Sequence, residues 1–165
     1  MDKKMTYYDE IADGYELLHG EEQKRKYAII APRIALLPDM LMLDVGCGSA
    51  LARPYFKARY IGLDPSIRLL ENQEGNIREL ICGKAESLPF ADKVFDLVIS
   101  VTAMHNFEDI SLSLGEMKRV GKKHAVISVL KKSNKLKLIE ALIANYFAIW
   151  EKIEEEKDII YFCTI

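Results

Sequence analysis

Leu41-Met42-Leu43-Asp44-Val45-Gly46-Cys47-Gly48 is a short apolar run that ends in two glycines. Apolar residues without polar alternation, over a stretch too short for a helix, mark a strand buried on both faces. The glycines then allow a tight turn that other residues resist. A buried parallel strand needs parallel neighbours, and the chain supplies them at regular spacing. Residues 60–64, 80–82, 95–100 and 125–130 read as four more apolar strands.

Helical patterns fill the intervals. Residues 50–58 are expected to form a helix with Pro54 near its first turn, and 66–73 and 109–120 two more, the last ending near Gly121. Ahead of the first strand, residues 6–19 read as a short helical segment, and 21–37 as a helix broken around Pro38. After the fifth, Ser133 is placed to cap a helix over 134–146, with Leu136, Leu138, Ile139, Leu142 and Ile143 along one face. Runs at 147–154 and 159–165, joined across Glu155-Glu156-Lys157-Asp158, read as an antiparallel hairpin. Alternating strands and helices closed by a hairpin imply a doubly wound α/β sheet with a mixed edge. One domain is expected over 1–165, with 1–38 as an N-terminal helical cap segment and 39–165 as the core.

Composition narrows the function. The chain has 165 residues, half of them hydrophobic, and a formal net charge of −2. That charge gives no overall pull toward nucleic acid or anionic membrane. The three cysteines, Cys47, Cys82 and Cys163, have no C-x-x-C spacing, which argues against a zinc ribbon or a disulfide framework. The first residues lack the apolar core of a signal peptide, and no apolar run reaches the ~20 residues of a spanning helix. A soluble, cytoplasmic protein is expected, with no metal.

In an open α/β sheet, ligands bind beyond the carboxyl ends of the strands, where the strand order reverses. The loop Asp44–Gly48 is therefore the primary candidate site. Gly46 and Gly48 fit the start of G-x-G-x-x-G/A, but Leu51 occupies its last position, and no Gly-Lys-Ser/Thr follows. Asp44 would sit poorly beside a pyrophosphate but suits an ammonium group. Asp64 ends the second strand and is placed to accept both hydroxyls of a ribose. The bland alternatives are a turn cap for Asp44 and a helix-start residue for Asp64.

These residues also match a known pattern. YDEIADGY (8–15), LDVGCGSA (43–50), IGLDPS (61–66), GKAESLPF (83–90), FDLVIS (95–100) and EMKRVGKKHAVISVLK (116–131) resemble the class I S-adenosylmethionine-dependent methyltransferases of the ubiquinone-biosynthesis-like (type 11) group. The resemblance runs through nearly the whole chain in the expected order. It implies a Rossmann-like, seven-stranded sheet and S-adenosyl-L-methionine as cofactor. Asp44, Gly46 and Gly48 would form the cofactor loop, and Asp64 would bind ribose. Ala85 and Glu86 would flank adenine, while Ser100, Val101 and then Thr102 would line the methionine side. Tyr8 and Tyr15 look like aromatic residues that fold over the cofactor, or else pack as an ordinary helix face.

Three departures stand out. Ala50 replaces the last glycine of G-x-G-x-G, where one methyl at a helix start should be tolerated. Lys84 stands where relatives carry an aspartate toward the adenine amino group, and it cannot accept a hydrogen bond. Glu86 or a backbone carbonyl would have to serve instead. Third, helix 134–146 follows the fifth strand almost at once, leaving no inserted lid and an open acceptor side.

Methyl transfer from a sulfonium is an in-line displacement that needs alignment more than acid–base help. His105, in Thr102-Ala103-Met104-His105-Asn106-Phe107, is the candidate catalytic residue, as a base or positioning group. The alternative is a loop histidine bonded to backbone. Residues 100–107 lack the Asn/Asp-Pro-Pro-Tyr/Phe motif that grips planar amino groups, and look more like the His-His-Phe loop of the broader group. Lys131, Lys132 and Lys135 begin a helix near the expected mouth, where an acidic substrate or RNA phosphate would suit them. Lys118, Arg119, Lys122 and Lys123 lie at the other end of the strand and read as a solvated face. The methyl acceptor, small molecule or RNA, is left open. So is a non-catalytic or partner-dependent S-adenosylmethionine-binding module of the same fold, with a protein partner supplying substrate recognition.

Overall fold

The computed structural model describes residues 19–71 and 79–165. Seven strands form one sheet: β1 (Leu41–Val45), β2 (Arg59–Asp64), β3 (Leu80–Cys82), β4 (Phe95–Val101), β5 (Gly121–Leu130), β6 (Ala148–Glu154) and β7 (Asp158–Thr164). Their spatial order is β3-β2-β1-β4-β5-β7-β6. The first five are parallel: β1 aligns Leu43 with Ile61 of β2 and with Val98 of β4. β7 inserts antiparallel between β5 and β6, pairing Ser128 with Ile160 and Ile153 with Ile160 on its other side. This is the mostly parallel sheet with a C-terminal antiparallel hairpin expected above. The order reverses between β1 and β4, so their carboxyl ends open a crevice.

Both faces of the sheet are covered, which is why its central strands are mostly apolar, with Asp44, Ser100 and Ser128 as buried polar exceptions. Helices α3 (Ile110–Val120) and α4 (Leu136–Tyr146) close one face over Leu43, Val98, Ile127 and Tyr161. On the other face α1, helical through 19–30, lays Tyr27 and Ile30 against Met42, Ile99, Val126 and Phe162. A short helix, α2 (Ile67–Glu71), follows β2. Asp109 caps α3 by accepting the Leu112 N–H at 2.9 Å, and Gly121 ends that helix and begins β5 with no intervening loop.

The helix expected over 50–58 does not form. That stretch is a series of turns with only a 3-10 turn at Arg53–Tyr55. Ala50 takes a left-handed φ of +50°, which no α-helix accommodates. The helix expected over 21–37 gives way at residue 30 to a 3-10 turn, Ala31–Arg33, with Pro32 inside it. Pro removes a backbone donor and clashes with the preceding turn, so the break comes before Pro38. Helix α4 starts at Leu136, not 134, and Ser133 is not its N-cap: its Oγ accepts the Lys135 N–H, forming a turn ahead of the helix. Residues 6–18, with Tyr8 and Tyr15, and residues 72–73 lie outside the described residues. Among the described residues, no helix is long and apolar enough to cross a membrane.

Candidate functional site

The turn after β1 is shaped by its glycines and by the end of β2. Gly46 and Gly48 have φ of +75° and +51°, in the region that favours glycine. The amides of Gly46 and Cys47 both donate to the Leu63 carbonyl, at 2.7 and 3.1 Å. A Cβ on Gly46 would lie 2.5 Å from the Cβ of Ala103, so the Ala103 side chain after β4 presses directly on the loop. Asp64 completes the junction. One oxygen of its carboxylate accepts the Gly48 N–H at 2.8 Å and the other the Ser66 N–H at 2.9 Å.

These elements wall a cavity of about 500 Å³ at the carboxyl ends of β1, β2 and β4. Gly46, Gly48, Asp64, Ala85, Glu86 and Val101, all singled out from the sequence, line it. The side chains of Leu63, Pro65, Leu69, Ala85 and Phe107 give it apolar surface. Lys84 and Glu108 also line it and form an ion pair at 2.6 Å, joining the loop after β3 to the loop after β4. Glu86 makes a second bracket between the same loops, accepting the N–H groups of Glu108 and Asp109 at 2.8 and 3.2 Å. That oxygen of Glu86 is thus committed to the protein backbone.

Two predicted contact residues, Asp44 and Ser100, are not among those that line the cavity. Ser100 is fully buried. Asp44 is 1% exposed, and its Oδ2 accepts the Tyr60 hydroxyl at 2.8 Å. Among the described residues, its Oδ1 has no hydrogen-bond partner. Burial pushes the Asp44 carboxyl up to about 7; Tyr60 opposes this and Asp64 adds to it. The same burial, with Asp44 and Asp64 nearby, raises the Cys47 thiol, so the loop's cysteine stays neutral and unreactive.

His105 sits on a 3-10 turn, Met104–Asn106, and is not among the residues lining the cavity; its neighbours Ala103 and Asn106 are. Its carbonyl accepts from Lys135 Nζ at 3.2 Å. Lys131 pairs with Glu154 at 3.5 Å, so two of the three lysines expected at the mouth have partners within the chain. Arg119, in the basic run that otherwise faces solvent, is only partly exposed and is tied into the fold. It grips Glu116 through two nitrogens and donates to the carbonyls of Leu88 and Phe90. Asn106, Phe107 and Glu108 were missed from sequence, although each lies just beyond the end of β4, where ligand contacts collect. Among the described residues, no cluster of His, Cys, Asp and Glu could hold a metal ion.

The cavity suits a phosphate-free nucleoside. Asp64 offers a carboxylate to a diol, and a carboxylate has about four acceptor positions. The apolar walls fit a flat base, and Gly46 lets a ligand approach the backbone closely.

Comparison with known proteins agrees with this geometry. The demethylmenaquinone methyltransferase of Thermotoga maritima is 30% identical over 86% of this chain and 62% of its own length. The chain thus spans less than two thirds of that relative. Two solved structures share the fold at low identity. One, from Haloferax volcanii, is a putative methyltransferase in complex with the Trm112 methyltransferase activator (TM-score 0.78, 16% identity, 99% of this chain and 98% of that one). The other is the magnesium protoporphyrin IX methyltransferase of Synechocystis with bound S-adenosylmethionine (TM-score 0.78, 14% identity, 99% and 97%). A family model described as a methyltransferase domain matches residues 43–129, from β1 through β5 and including every residue that walls the cavity, and the chain belongs to that family of S-adenosylmethionine-dependent methyltransferases.

Proposed function

We propose that the cavity binds S-adenosylmethionine and that the chain directs its methyl group, by in-line displacement, onto an acceptor that is a small molecule or an RNA. The observation that carries this reading is Asp64. Its carboxylate lies on the cavity wall at the end of β2, 8% exposed, and is oriented by two backbone N–H groups. Each oxygen that accepts one backbone N–H has a further lone pair with which to accept a hydroxyl.

When bound, S-adenosylmethionine supplies a methyl already activated by its sulfonium. The chain's part is to bind, orient and exclude water. Asp64 would accept the ribose hydroxyls, with Gly46 and Gly48 allowing close approach to the loop. Leu63, Pro65, Leu69 and Ala85 would enclose the base. Val101 and Thr102 would border the methyl-transfer side, with Asn106 and Phe107 beyond them. A proton acceptor on the chain is needed only for a methyl acceptor that loses a proton. His105 is the imidazole of that stretch, on the turn whose neighbours reach the cavity.

Calorimetry tests the reading. The protein should bind S-adenosylmethionine saturably in the micromolar range, and Asp64→Ala should weaken binding about tenfold or more, the worth of charge-assisted hydrogen bonds. No binding by the unaltered protein would overturn it. Labelled methyl donor incubated with fractionated cell extract then identifies the acceptor by where the label lands.

A second reading has a protein partner completing the acceptor side. The Haloferax structure, similar over almost its whole length, is a methyltransferase bound to an activator protein. Donor binding with no transfer to any fraction until extract protein is added would favour it.

A further inference from the structure

Lys26 lies on α1 between residues that face the sheet, and it is fully buried. A buried ammonium is tolerable only when it is paired with opposite charge and hydrogen-bonded. Its Nζ stands 2.8 Å from Glu22 Oε1, 2.8 Å from Thr102 Oγ1 and 3.0 Å from Asp158 Oδ1. The contacts to Glu22 and Thr102 are hydrogen bonds and that to Asp158 is an ion pair, so the ammonium is held by three separate elements. Thr102 donates onward to Asp158 Oδ2 at 2.7 Å, and the Ser128 hydroxyl donates to the same oxygen at 2.8 Å. Lys157 closes the chain of alternating charges by donating to Glu22 Oε2 at 2.6 Å. Burial alone would raise the Glu22 carboxyl, but the bonds from Lys157 and Lys26 outweigh it and hold it below its usual range.

What this network grips is Thr102. That residue follows β4, lines the cavity and has a φ of +56°. A β-branched residue in the left-handed region is strained, and such strain persists only where the surroundings over-determine it. Here the Thr102 N–H donates to Ser128 Oγ at 2.9 Å, while its hydroxyl sits between Lys26 and Asp158. The next residue, Ala103, is the one that packs against Gly46. The conformation at 102 therefore decides how the wall after β4 meets the glycine loop.

We propose that Lys26 is a positioning residue for the cavity: with Asp158 and Ser128 it holds Thr102 in the left-handed conformation that seats Ala103 against Gly46, so that α1 sets the affinity of the donor site. Stability alone does not account for the arrangement, because buried ion pairs are commonly replaceable by apolar side chains without loss. The inference rests on the reading that this cavity holds S-adenosylmethionine.

The test is a double-mutant cycle of Lys26→Met and Thr102→Gly, read as S-adenosylmethionine affinity by calorimetry after circular dichroism confirms folding. Glycine takes a positive φ without strain, so it needs no clamp. Lys26→Met is expected to weaken binding about tenfold with Thr at 102, and less than about threefold with Gly there. If Lys26→Met does not fold, Thr102→Val and Thr102→Gly replace it, with the Lys26–Asp158 pair intact. Both lack the hydroxyl, but only valine must pay for the left-handed backbone, so valine should bind about tenfold more weakly than glycine. Equal effects of Lys26→Met in the two backgrounds, or equal affinities of the two Thr102 variants, would overturn the positioning role alone. Absence of binding by the unaltered protein would overturn both it and the cavity's assignment.

Discussion

The carboxylate of Asp64 holds the amide of Gly48 at 2.8 Å, so the residue assigned to the donor's ribose also fastens the glycine loop to β2. Asp64→Asn separates these roles poorly by design. Its amide nitrogen would face one of the two backbone donors now satisfied by Gly48 and Ser66. We expect a loss of about 1–3 kcal/mol in urea unfolding, together with weaker S-adenosylmethionine binding. Unchanged stability would mean that the loop holds itself without this anchor.

Asp44 should make stability depend on pH. Its folded value is about 7 against 3.8 ordinarily. Between those values the unfolded chain binds fewer protons than the folded one, so stability falls as pH rises from about 4 to about 7 and levels off above. The contribution is complete below the unfolded value and lost above the folded one. Asp44→Asn keeps an acceptor for Tyr60 without the charge, and should gain on the order of 2–4 kcal/mol at pH 8 relative to the native residue. Unfolding free energies at pH 5 and pH 8 decide it. A slope that survives in the variant would assign the effect to another group.

Ala50 and Ala52 are both buried alanines of one loop, yet they should respond oppositely to glycine. Ala52 has a φ of −68°, which alanine prefers, whereas Ala50 is at +50°. Each loses about 0.8 kcal/mol of methyl burial and some unfolded-state entropy. Only at residue 50 does relief of left-handed strain, about 1–2 kcal/mol, offset that loss. Ala50→Gly should be nearly neutral and Ala52→Gly should cost about 1–2 kcal/mol. Equal destabilisation in thermal melts would contradict the strain.

Most of the sheet is legible in the sequence because a doubly covered parallel strand has no polar face. Leu41–Val45 and Phe95–Val101 announce themselves as apolar runs interrupted only by Asp44, Asp96 and Ser100. Gly46, Gly48, Asp64 and Val101 are legible as cavity-wall residues for a related reason, since they lie where such runs end. Asp44 and Ser100 also lie near strand ends, but they are buried and not among the residues that line the cavity. Pro54 suggests a helix start over 50–58, and only the backbone at Ala50 reveals turns instead. Lys26 and Asp158 are 132 positions apart, and no local pattern pairs them. Composition shows Arg119 within a basic run, but its acceptors, the carbonyls of Leu88 and Phe90, come from about thirty residues away.

Arg119 leads to a last expectation. Arg119 holds the segment carrying Ala85 and Glu86 to α3, through Leu88, Phe90 and a two-point grip on Glu116, which also accepts the Leu88 N–H at 2.8 Å. Lysine keeps the charge but not the planar fork. Arg119→Lys should therefore cost about 1–3 kcal/mol and weaken S-adenosylmethionine binding by loosening the wall at Ala85. It should also change the acid limb of the stability curve. The hydrogen bond from Arg119 holds Glu116 below its ordinary 4.5, so this stabilisation is present above that value and is lost as pH falls through the folded one. With lysine at 119 the folded value moves back toward the ordinary one, and the difference between native and variant stability should shrink from pH 6 to pH 3. A difference that stays constant over that range would show that Arg119 acts through the two carbonyls alone.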